Sequence, residues 1–440
     1  MTQRARTVRD PVWQNIRLEP HAAAILDTPE FQRLRRVKQL GFAHLVYPGA
    51  VHTRFLHAIG VYHLSGRAIR ALERSGTLGE AAVTTESAAL VRLSALLHDV
   101  GHYAFSHAME ELEPASIPGH HEQLAARFLE APSIRSILVG IDPEAPRLIA
   151  DLIRGASDHP LQGLVSGSLD LDKIDYLRRD SLFCGVPYGA VDVDRLLDSL
   201  TLAREREEAR LEVAVTEKGI SALESLLFSK YQMFRNVYWH HAVRSATVVF
   251  RRLVGDALGS GLFVAEDLPG RTDEELLSLL AARSEDRPAP PVFPALLRAL
   301  RDRQLPRRVV EVLGDELPSG VASWVQSRRD LVARLEDRLA DEWRRPRGSI
   351  FVDYPSNPRM LELRLLFAPG RGPVRRLTSE GEKGLIDLPR LSASLHHTTR
   401  VLRVFCLESP GRMDPAPILE LLEASDEDVA ARLDEDRPLY

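Results

Sequence analysis

The chain has 440 residues, 44% hydrophobic and 27% charged, with a formal net charge of −5 at pH 7. This length predicts two or three domains with an ample core, and the acidic balance argues against a nucleic-acid partner, which would require a basic surface. The chain has no run of about 18 apolar residues, no apolar N-terminal signal and only two cysteines, so we expect a cytoplasmic protein without a membrane segment.

The first part of the chain, to about residue 260, has a mostly helical pattern. Asp27 and Thr28 precede Pro29, an order typical of a helix start. The predicted helix continues to Gly41, with apolar residues at Phe31, Leu34, Val37 and Leu40. A turn is predicted at residues 47–50.

Two further helices carry candidate metal ligands. His57 begins the segment RFLHAIGVYHL, which has a regular apolar face, and the pair His98–Asp99 closes the apolar helix TESAALVRLSALLHDVGH just before Gly101. Imidazole with carboxylate is a donor set suited to Mn, Fe, Ni, Zn or Mg, and such a site generates hydroxide from water. With 15 histidines, roughly one His–Asp dipeptide is expected by chance, so the pair alone is a weak signal.

Asp172, Tyr176 and Asp180 fall at i, i+4 and i+8 in SGSLDLDKIDYLRRD, and therefore on one stripe of a helix. Such a stripe indicates either a polar cleft or a face in contact with solvent. The second interpretation expects a solvated face stabilised by pairs such as Asp175 with Arg179.

The remainder of the chain is predicted to be helical and then mixed. LTLAREREEARLEVAVTEKG predicts a short β-hairpin with a charged turn, and a long helix is expected over about residues 217–258. The Pro-rich stretch 285–294 indicates a boundary within a helical region. From about Ser349 three segments are strand-like: SIFVDYP, MLELRLLF (alternating Leu361, Leu363, Leu365, Phe367) and RVLRVFCLE.

These patterns predict a mainly α fold with a short β-hairpin and a small α/β C-terminal domain. The predicted division is a core over residues 1–260, a helical region over 261–345 and the small α/β domain over 346–440.

Four stretches occur in one order: DTPEFQRLRRVKQLGFAHLVYPGAVHTRFLHAIGVYHL, ALLHDVGHYAFSHAME, GHHEQ and LDLDKIDYLRRD. In order and spacing they resemble the HD-domain deoxynucleoside triphosphate (dNTP) triphosphohydrolases. This family contains bacterial dGTPase-like enzymes and the vertebrate enzyme that pairs a sterile-alpha-motif domain with an HD domain. The resemblance extends from about Asp10 to Gly185, and it implies an HD-domain helical core over residues 1–260.

The resemblance implies a divalent metal ion and a set of histidines near the scissile phosphate. The residues that match the family's metal ligands are His57, His98, Asp99 and Asp172. The residues that match its catalytic positions are His102, His107, Glu110 and His121. His107 is the expected general acid and His121 the expected support for the transition state, since imidazole titrates near neutral pH. The alternative is that these histidines only orient their neighbours.

The resemblance also implies substrate contacts. Arg54 and Lys173 match cations that bind the triphosphate, although either could be an ordinary surface charge. Tyr176 matches a residue that contacts phosphate and sugar, and Gln39 and Asp180 match groups that hold the sugar 3′-hydroxyl. Leu40 would crowd a 2′-hydroxyl and favour deoxyribose, or it could simply belong to the core.

The chain departs from the family in two places. Tyr231 stands where the vertebrate enzyme has an arginine on the triphosphate, with Arg235 one turn later. The N-terminal DPVWQNI has Trp13 and Gln14 in place of the family's usual histidine and glycine.

Asp27, Gln32 and Arg35 correspond to a nucleotide-activator site at subunit interfaces of some relatives, although Asp27 also suits a helix N-cap. We therefore expect a metal-dependent hydrolase that converts a dNTP to a deoxynucleoside and triphosphate, with dGTP or another dNTP as possible activator. The expected assembly is a homo-oligomer, with a tetramer favoured. The alternatives are an HD phosphohydrolase on another nucleotide phosphoester, and a nucleotide-sensing regulator without turnover.

Overall fold

The structure is a computed structural model. It describes residues 5–112, 114–207, 209–317, 324–355, 365–377, 394–395, 399–408, 411, 413–414 and 416–439. Helices predominate in these parts of the chain, which confirms the mainly α fold class. None of the described helices is both long and apolar enough to cross a membrane.

Helices α1–α10 precede the Asp172 segment. Their bounds are Pro20–Leu26, Pro29–Arg33, Arg54–Arg74, Thr77–Glu80, Thr85–Leu97, Ser106–Glu110, His121–Leu129, Pro132–Val139, Ala145–Ile153 and Gln162–Val165. Helices α11–α20 follow. Their bounds are Leu171–Cys184, Val193–Asp198, Ile220–Met233, His241–Gly259, Asp273–Asp286, Phe293–Arg301, Trp324–Ser327, Arg329–Glu342, Ala416–Glu423 and Asp426–Asp434.

The 21-residue helix α3 is the centre of the core. It is buried along most of its length because apolar residues occur on several of its faces, and it packs against α5, α11 and α12. Its predicted apolar face is buried as expected at Val61, Leu64, Ala68 and Leu72. The first helical turn of α3 therefore lies beside the end of α5 and the start of α11.

In the described part of the chain, nine strands form three small sheets. Their bounds are β1 Arg6–Asp10, β2 Gln14–Leu18, β3 Leu200–Ala203, β4 Glu212–Thr216, β5 Arg307–Leu313, β6 Ile350–Asp353, β7 Leu366–Ala368, β8 Arg375–Arg376 and β9 Val401–Cys406. β1 and β2 form an antiparallel hairpin, and a second sheet has the order β3-β4-β7-β8, with β7 parallel to β4. The third sheet has the order β5-β9-β6, with antiparallel pairing throughout.

The predicted β-hairpin and the C-terminal α/β mixture are confirmed, but the strands cross the predicted divisions. β5 lies inside the region 261–345, so that region is not helical throughout, and it pairs with β9. β7 joins the sheet of the hairpin by pairing with β4. Of the alternating residues in MLELRLLF, Leu361 and Leu363 lie outside the described residues. The three-part division stays a prediction.

Two predicted helices are shorter than expected. The helix at Pro29 ends at Arg33 and, after a 3-10 turn, the chain becomes extended at Val37, whose carbonyl accepts a hydrogen bond from the backbone of Arg54. The cap at its start is Thr28, while Asp27 ends α1.

The long helix predicted over 217–258 is interrupted. After α13 the residues Phe234–Tyr238 wind as a π-helix, and α14 begins anew at His241. Side-chain bonds favour the break: the Tyr238 hydroxyl reaches Asp180 at 2.7 Å, and the Tyr47 hydroxyl donates to the Asn236 carbonyl at 2.6 Å.

Gln14, at the turn between β1 and β2, is an exposed residue with φ of 65°, in the left-handed region. A side chain there costs about 1–2 kcal/mol, which glycine avoids. We expect Gln14→Gly to raise the free energy of unfolding by about 1 kcal/mol, after allowance for the greater flexibility of glycine when unfolded. Urea denaturation measures this. The matched control is Arg17→Gly, at an exposed strand position nearby, which should lower stability; a loss in both variants would contradict the strain argument.

Candidate metal and catalytic site

Three helices bring the four predicted metal ligands together. His57 lies in the first turn of α3, His98 and Asp99 follow the last residue of α5, and Asp172 lies in the first turn of α11. His57 Nε2 is 3.2 Å from His98 Nε2, 2.9 Å from Asp172 Oδ1 and 3.8 Å from Asp99 Oδ2. His98 Nε2 is 3.3 Å from Asp99 Oδ1. Ligand atoms bound to one ion at 2.0–2.2 Å lie about 3.0–3.6 Å apart, so this spacing fits a divalent cation.

The hydrogen bonds of His57 and His98 provide a second test of whether these residues fit a cation. His57 Nδ1 donates to Asp175 Oδ2 at 2.8 Å, and His98 Nδ1 donates to the Ala95 carbonyl at 2.9 Å. In the neutral form of each ring Nε2 therefore carries a lone pair, and two such lone pairs cannot hydrogen-bond to each other. Two carboxylates face the same point. Positive charge is therefore favoured at this point, and either a proton on an Nε2 atom or a divalent metal ion would supply it.

The pKa values of His57 and Asp99 also indicate that positive charge is favoured at this site. Burial lowers the pKa of His57, but the hydrogen bonds to Asp172 and Asp175 outweigh burial and raise it to about 10. Burial raises the pKa of Asp99, yet the charges of Arg54 and His98 hold it well below its usual value. The carboxylates are therefore ionised and favour a cation between the histidines.

Asp175 orients His57 by accepting a hydrogen bond from Nδ1, the ring nitrogen that does not face the predicted metal site. Its carboxylate accepts hydrogen bonds from His57, from Arg179 Nε at 2.7 Å and Nη2 at 2.9 Å, and from Trp13 Nε1 at 2.5 Å. Arg179 also donates to Asp10 at 2.8 Å. Because the side chains of Asp175 and Arg179 are both 0% exposed, the interpretation of this pair as part of a solvated face is wrong.

This cluster accounts for one of the two departures in the sequence. Trp13 stands where the family usually has a histidine, and its indole N–H donates a hydrogen bond to Asp175. The approach of α11 to α3 depends on Gly60, since a Cβ there would lie 1.9 Å from Asp175 Oδ1. The glycine is therefore required by the close contact between the two helices.

Arg54 binds a predicted metal ligand directly. Its Nη1 donates to Asp99 Oδ2 at 2.6 Å and its Nε to Ser106 Oγ at 2.7 Å. Its Nη2 is buried and has no hydrogen-bond partner among the described residues. The side chain, 2% exposed, is thus no ordinary surface charge, and it retains one free donor beside the metal ligands.

The four predicted catalytic residues form a second cluster next to the first. His102 Nε2 is 3.1 Å from Asp99 Oδ1, and its ring stacks on His121 with centroids 3.7 Å apart. Glu110 binds His121 Nδ1 at 2.5 Å and lies 3.6 Å from His107 Nδ1. His102 is buried, whereas the side chain of His107 is 72% exposed.

The geometry of the second cluster favours proton transfer over metal binding. A metal ion prefers the plane of each imidazole ring, but His102 and His121 are stacked with only 15° between their planes. One ion could not lie in both planes. Burial lowers the pKa of His121, but its hydrogen bond to Glu110 outweighs this and raises the pKa, so the ring holds its proton more firmly.

The predicted sugar contacts lie on the other side of Asp172. Both Asp180 oxygens are engaged, one with His52 Nε2 at 2.8 Å and one with the Tyr238 hydroxyl at 2.7 Å. Gln39 is 6% exposed, and its Oε1 is buried without a hydrogen-bond partner in the described part of the chain. Tyr176 packs near Tyr238, with ring centroids 6.4 Å apart. Leu40 is partly buried against the core, as the plain-core interpretation expects.

The cations predicted to bind the triphosphate have partners within the protein itself. Lys173 donates to Asp170 Oδ2 at 2.5 Å and to the Gly167 carbonyl at 2.9 Å, so its charge is already balanced. Tyr231 and Arg235 bind each other, with Arg235 Nη1 donating to the Tyr231 hydroxyl at 2.7 Å. Among the described contacts, none joins this pair to the four predicted metal ligands.

Lys230 is the residue that the sequence analysis missed. It precedes Tyr231, so it points about 100° away from it around α13, toward Lys173, Asp170 and Asp172. It is 9% exposed. Burial lowers its pKa to about 8, and the charge of Lys173 contributes to that shift. A buried lysine next to another lysine is the signal, but only the packing of α13 against α11 shows it.

The predicted activator residues lie together at the surface near α2. Asp27 forms a two-point ion pair with Arg6 at 2.8 and 2.7 Å. Gln32 donates to the Leu26 carbonyl and accepts from Arg35 Nε at 2.9 Å. The guanidinium of Arg35 lies over the ring of Phe55. The three side chains are adjacent, and their present partners belong to the protein itself.

Comparison with known families matches the HD domain over residues 54–180 and the HD associated region over residues 191–379. An uncharacterized Methanocaldococcus jannaschii protein, MJ1154, is 29% identical, with 89% of this chain and 76% of that protein covered. The Dictyostelium discoideum deoxynucleoside triphosphate triphosphohydrolase SAMHD1 homolog is 30% identical over 55% of this chain, which spans about half (47%) of that relative. A crystal structure of a hypothetical Aquifex aeolicus protein matches with a TM-score of 0.65 and 25% identity, over 92% of this chain and 96% of that one. All four predicted metal ligands lie inside the matched HD domain.

Proposed function

This chain belongs to the HD-domain family, and on that premise we propose that it is a metal-dependent phosphohydrolase that cleaves a dNTP to a deoxynucleoside and inorganic triphosphate. The observation that carries the proposal is the convergence of His57, His98, Asp99 and Asp172 beside buried cations. When bound, a divalent metal would polarise the phosphate and activate the attacking water.

Arg54, Lys173 and Lys230 are the residues that would hold the triphosphate. Arg54 has an unused Nη2 donor, and Lys230 has a charge that burial makes costly and that an anion would stabilise. Lys173 is balanced by Asp170, so its net contribution is smaller. Lys230 would thus compensate for Tyr231, which stands where the vertebrate enzyme has an arginine.

His107 is the group that would protonate the departing 5′-oxygen. It is exposed at the site, and Glu110 lies 3.6 Å from its Nδ1, so the carboxylate can orient the ring. His121 holds Glu110 in place through the 2.5 Å bond. His102 connects this group to Asp99.

Gln39 is the residue that would bind the sugar 3′-hydroxyl. Its buried Oε1 has no donor among the described residues, and leaving an acceptor unsatisfied costs about 1–3 kcal/mol, which a substrate hydroxyl would recover. Asp180 would act through His52 and Tyr238, because both of its oxygens are already engaged.

The test is to incubate the purified protein with Mn²⁺ or Mg²⁺ and each dNTP, singly and in mixtures, and to resolve the products. Release of intact triphosphate with the deoxynucleoside is the expected result. Stepwise loss of single phosphates would instead support a phosphohydrolase of different specificity. No turnover under any mixture would contradict the proposal and favour a nucleotide-sensing role.

The cluster Asp27, Gln32 and Arg35 is proposed as an activator site. If it is one, turnover of other dNTPs should rise when dGTP is added, and Asp27→Ala should lose this stimulation while keeping the basal rate. Asp27→Ala also breaks the ion pair with Arg6, so Arg6→Ala is the matched control. Equal loss of stimulation in both variants would indicate that the ion pair, rather than recognition of a base, matters. The predicted tetramer stays a prediction.

Lys230 provides a pH-dependent prediction. Only its protonated form binds an anion, and its pKa of about 8 means that the charge is lost at higher pH. We expect the KM for dNTP to rise about 10-fold between about pH 7 and about pH 9.5, with a smaller change in kcat. Lys230→Arg, whose guanidinium stays charged, should abolish the rise, and Lys230→Gln should show a high KM at every pH. A rise that persists in Lys230→Arg would exclude Lys230 as its cause.

A further inference from the structure

Helix α6, which carries His107 and Glu110, is too short and too strained to hold its own position. It has five residues, and the chain enters it through Phe105 and Ser106, with φ of 52° and 21°. Left-handed backbone at residues with a side chain is costly and persists only where the surroundings hold it. The position of the predicted general acid therefore depends on contacts outside α6.

The first end of α6 is held from within the core. Asp273 Oδ1 accepts the backbone N–H of Phe105 at 2.9 Å, and Arg54 Nε donates to Ser106 Oγ. The ring of Phe105 stacks on Phe42 with centroids 4.4 Å apart. These contacts fix the entry into α6, but none of them reaches its last turn, where Glu110 lies.

The other end of α6 is connected to the third sheet (β5-β9-β6), called the C-terminal sheet from here on, through a largely buried chain of charges. Glu111, which caps α6, accepts from Arg244 Nη1 at 2.6 Å and Nη2 at 2.8 Å. The same guanidinium donates to Asp353 of β6 through Nε at 3.0 Å and Nη2 at 2.6 Å. The side chains of Arg244 and Asp353 are 5% and 1% exposed, so water does not replace the bonds between them, whereas the side chain of Glu111 is 26% exposed.

One cluster of apolar side chains also includes residues of α6, of α14 and of the C-terminal sheet. Ala108 and Met109 of α6 belong to one cluster with Phe250 of α14, Phe351 of β6 and Phe405 of β9. The face of α6 opposite the exposed His107 therefore packs on α14, and α14 in turn packs on β5 and β6. Burial and four hydrogen bonds through one guanidinium make this a specific connection.

We propose that Arg244 is a positioning residue for catalysis, and that the C-terminal sheet sets the position of Glu110 and His107 through the chain Asp353–Arg244–Glu111. The C-terminal sheet thereby contributes to catalysis by positioning these two residues. Among the described contacts, no residue of the sheet touches the metal ligands. The kinetic part of the test depends on the proposed dNTP hydrolysis, whereas the structural part does not.

The test variants are Asp353→Asn and Arg244→Lys, which keep the size of the side chain but break the two-sided guanidinium pairing. We expect kcat to fall about 10- to 100-fold, because small displacements of catalytic groups have effects of this size. Bound metal and KM should stay within about threefold, since the ligands on α3, α5 and α11 are untouched. By hydrogen exchange, the amides of residues 105–112 should exchange at least about 10-fold faster, while those of 57–66 stay unchanged.

The matched control is Arg252→Lys. Arg252 lies on the same helix and pairs with Asp256 and Asp337 at 2.8 and 2.9 Å, but it does not contact α6. Its variant should retain kcat and the exchange pattern at 105–112. An equal loss in Arg252→Lys would mean general loosening of the interface and would overturn the proposal.

Unchanged kcat and unchanged exchange in folded Asp353→Asn would also overturn it. If Asp353→Asn does not fold, Glu111→Gln replaces it in the same measurements of kcat and hydrogen exchange, because Glu111 is the partly exposed member of the series Asp353–Arg244–Glu111. If the wild type turns over no dNTP, the proposed function fails, while the exchange measurement still decides whether the sheet positions α6.

Discussion

His98→Ala is expected to abolish both metal binding and hydrolysis. The variant removes one of two Nε2 lone pairs that meet 3.2 Å apart, and it leaves His57, Asp99 and Asp172 without a complete ligand set. Loss of only a hydrogen bond to a metal ligand typically costs about 10–100-fold in metal affinity or activity, so loss of the ligand itself should exceed that range.

His98 is a sharper choice than Asp99 for this experiment. Asp99 also neutralises the buried guanidinium of Arg54, so its removal would lower stability as well as metal affinity. His98 makes its other ring bond only to the Ala95 carbonyl, at the end of α5. The effect of His98→Ala on the free energy of unfolding without metal should therefore be modest.

Metal content after gel filtration, titration calorimetry with Mn²⁺ and the rate of triphosphate release measure the effect of His98→Ala. His21→Ala, at an exposed position of α1, is the control and should behave as the wild type. A His98→Ala protein that keeps stoichiometric metal and full activity would show that the four-residue site is wrongly assigned.

Arg179→Met is expected to lower the free energy of unfolding by about 3–5 kcal/mol. The side chains of Arg179, Asp175 and Asp10 are all at most 1% exposed, and the variant leaves two carboxylates buried without their shared cation. Burial raises the pKa of Asp175, but the charge of Arg179 and the hydrogen bond from His57 keep it well below its usual value. Without Arg179, the penalty of burial remains uncompensated.

The same variant should weaken metal binding about 10–100-fold, because Asp175 orients His57 and depends on Arg179 for its own position. Urea denaturation of the metal-free protein and metal titration separate the two effects. Arg74→Met is the matched control: its pair with Asp198 has both side chains 63% exposed, so a change of only about 0–1 kcal/mol is expected. Similar losses in both variants would contradict the role of burial.

Local patterns in the sequence account for much of the fold. Apolar spacing predicts α3 and α5, and the Thr28–Pro29 start, the β-hairpin and the strands near residues 350 and 403 are confirmed. These features depend on residues close in sequence, so periodicity and caps are sufficient to predict them. The prediction of one continuous helix over 217–258 is wrong. The break is favoured by the hydrogen bond from Tyr238 to Asp180, a residue 58 positions away in the sequence.

The same distinction applies to the site. The motif order predicts His57, His98, Asp99 and Asp172 as ligands, and the structure brings these four side chains together. Lys230 escapes prediction, because its neighbours Lys173 and Asp172 lie on another helix. The solvated-face interpretation of Asp175 and Arg179 fails for a similar reason: exposure depends on α3 and the N-terminal hairpin, not on the spacing within α11.

By itself the sequence determined the HD-type motif, the donor atoms available for a metal and the main helices, because residue identity and local periodicity are sufficient for these. Only the tertiary structure decided which charges are buried, how the histidine rings are oriented and that Arg244 joins Glu111 at the end of α6 to Asp353 of β6. Those properties arise from contacts between distant segments, since burial and hydrogen-bond partners determine whether a given aspartate or lysine is a solvated charge or part of a site.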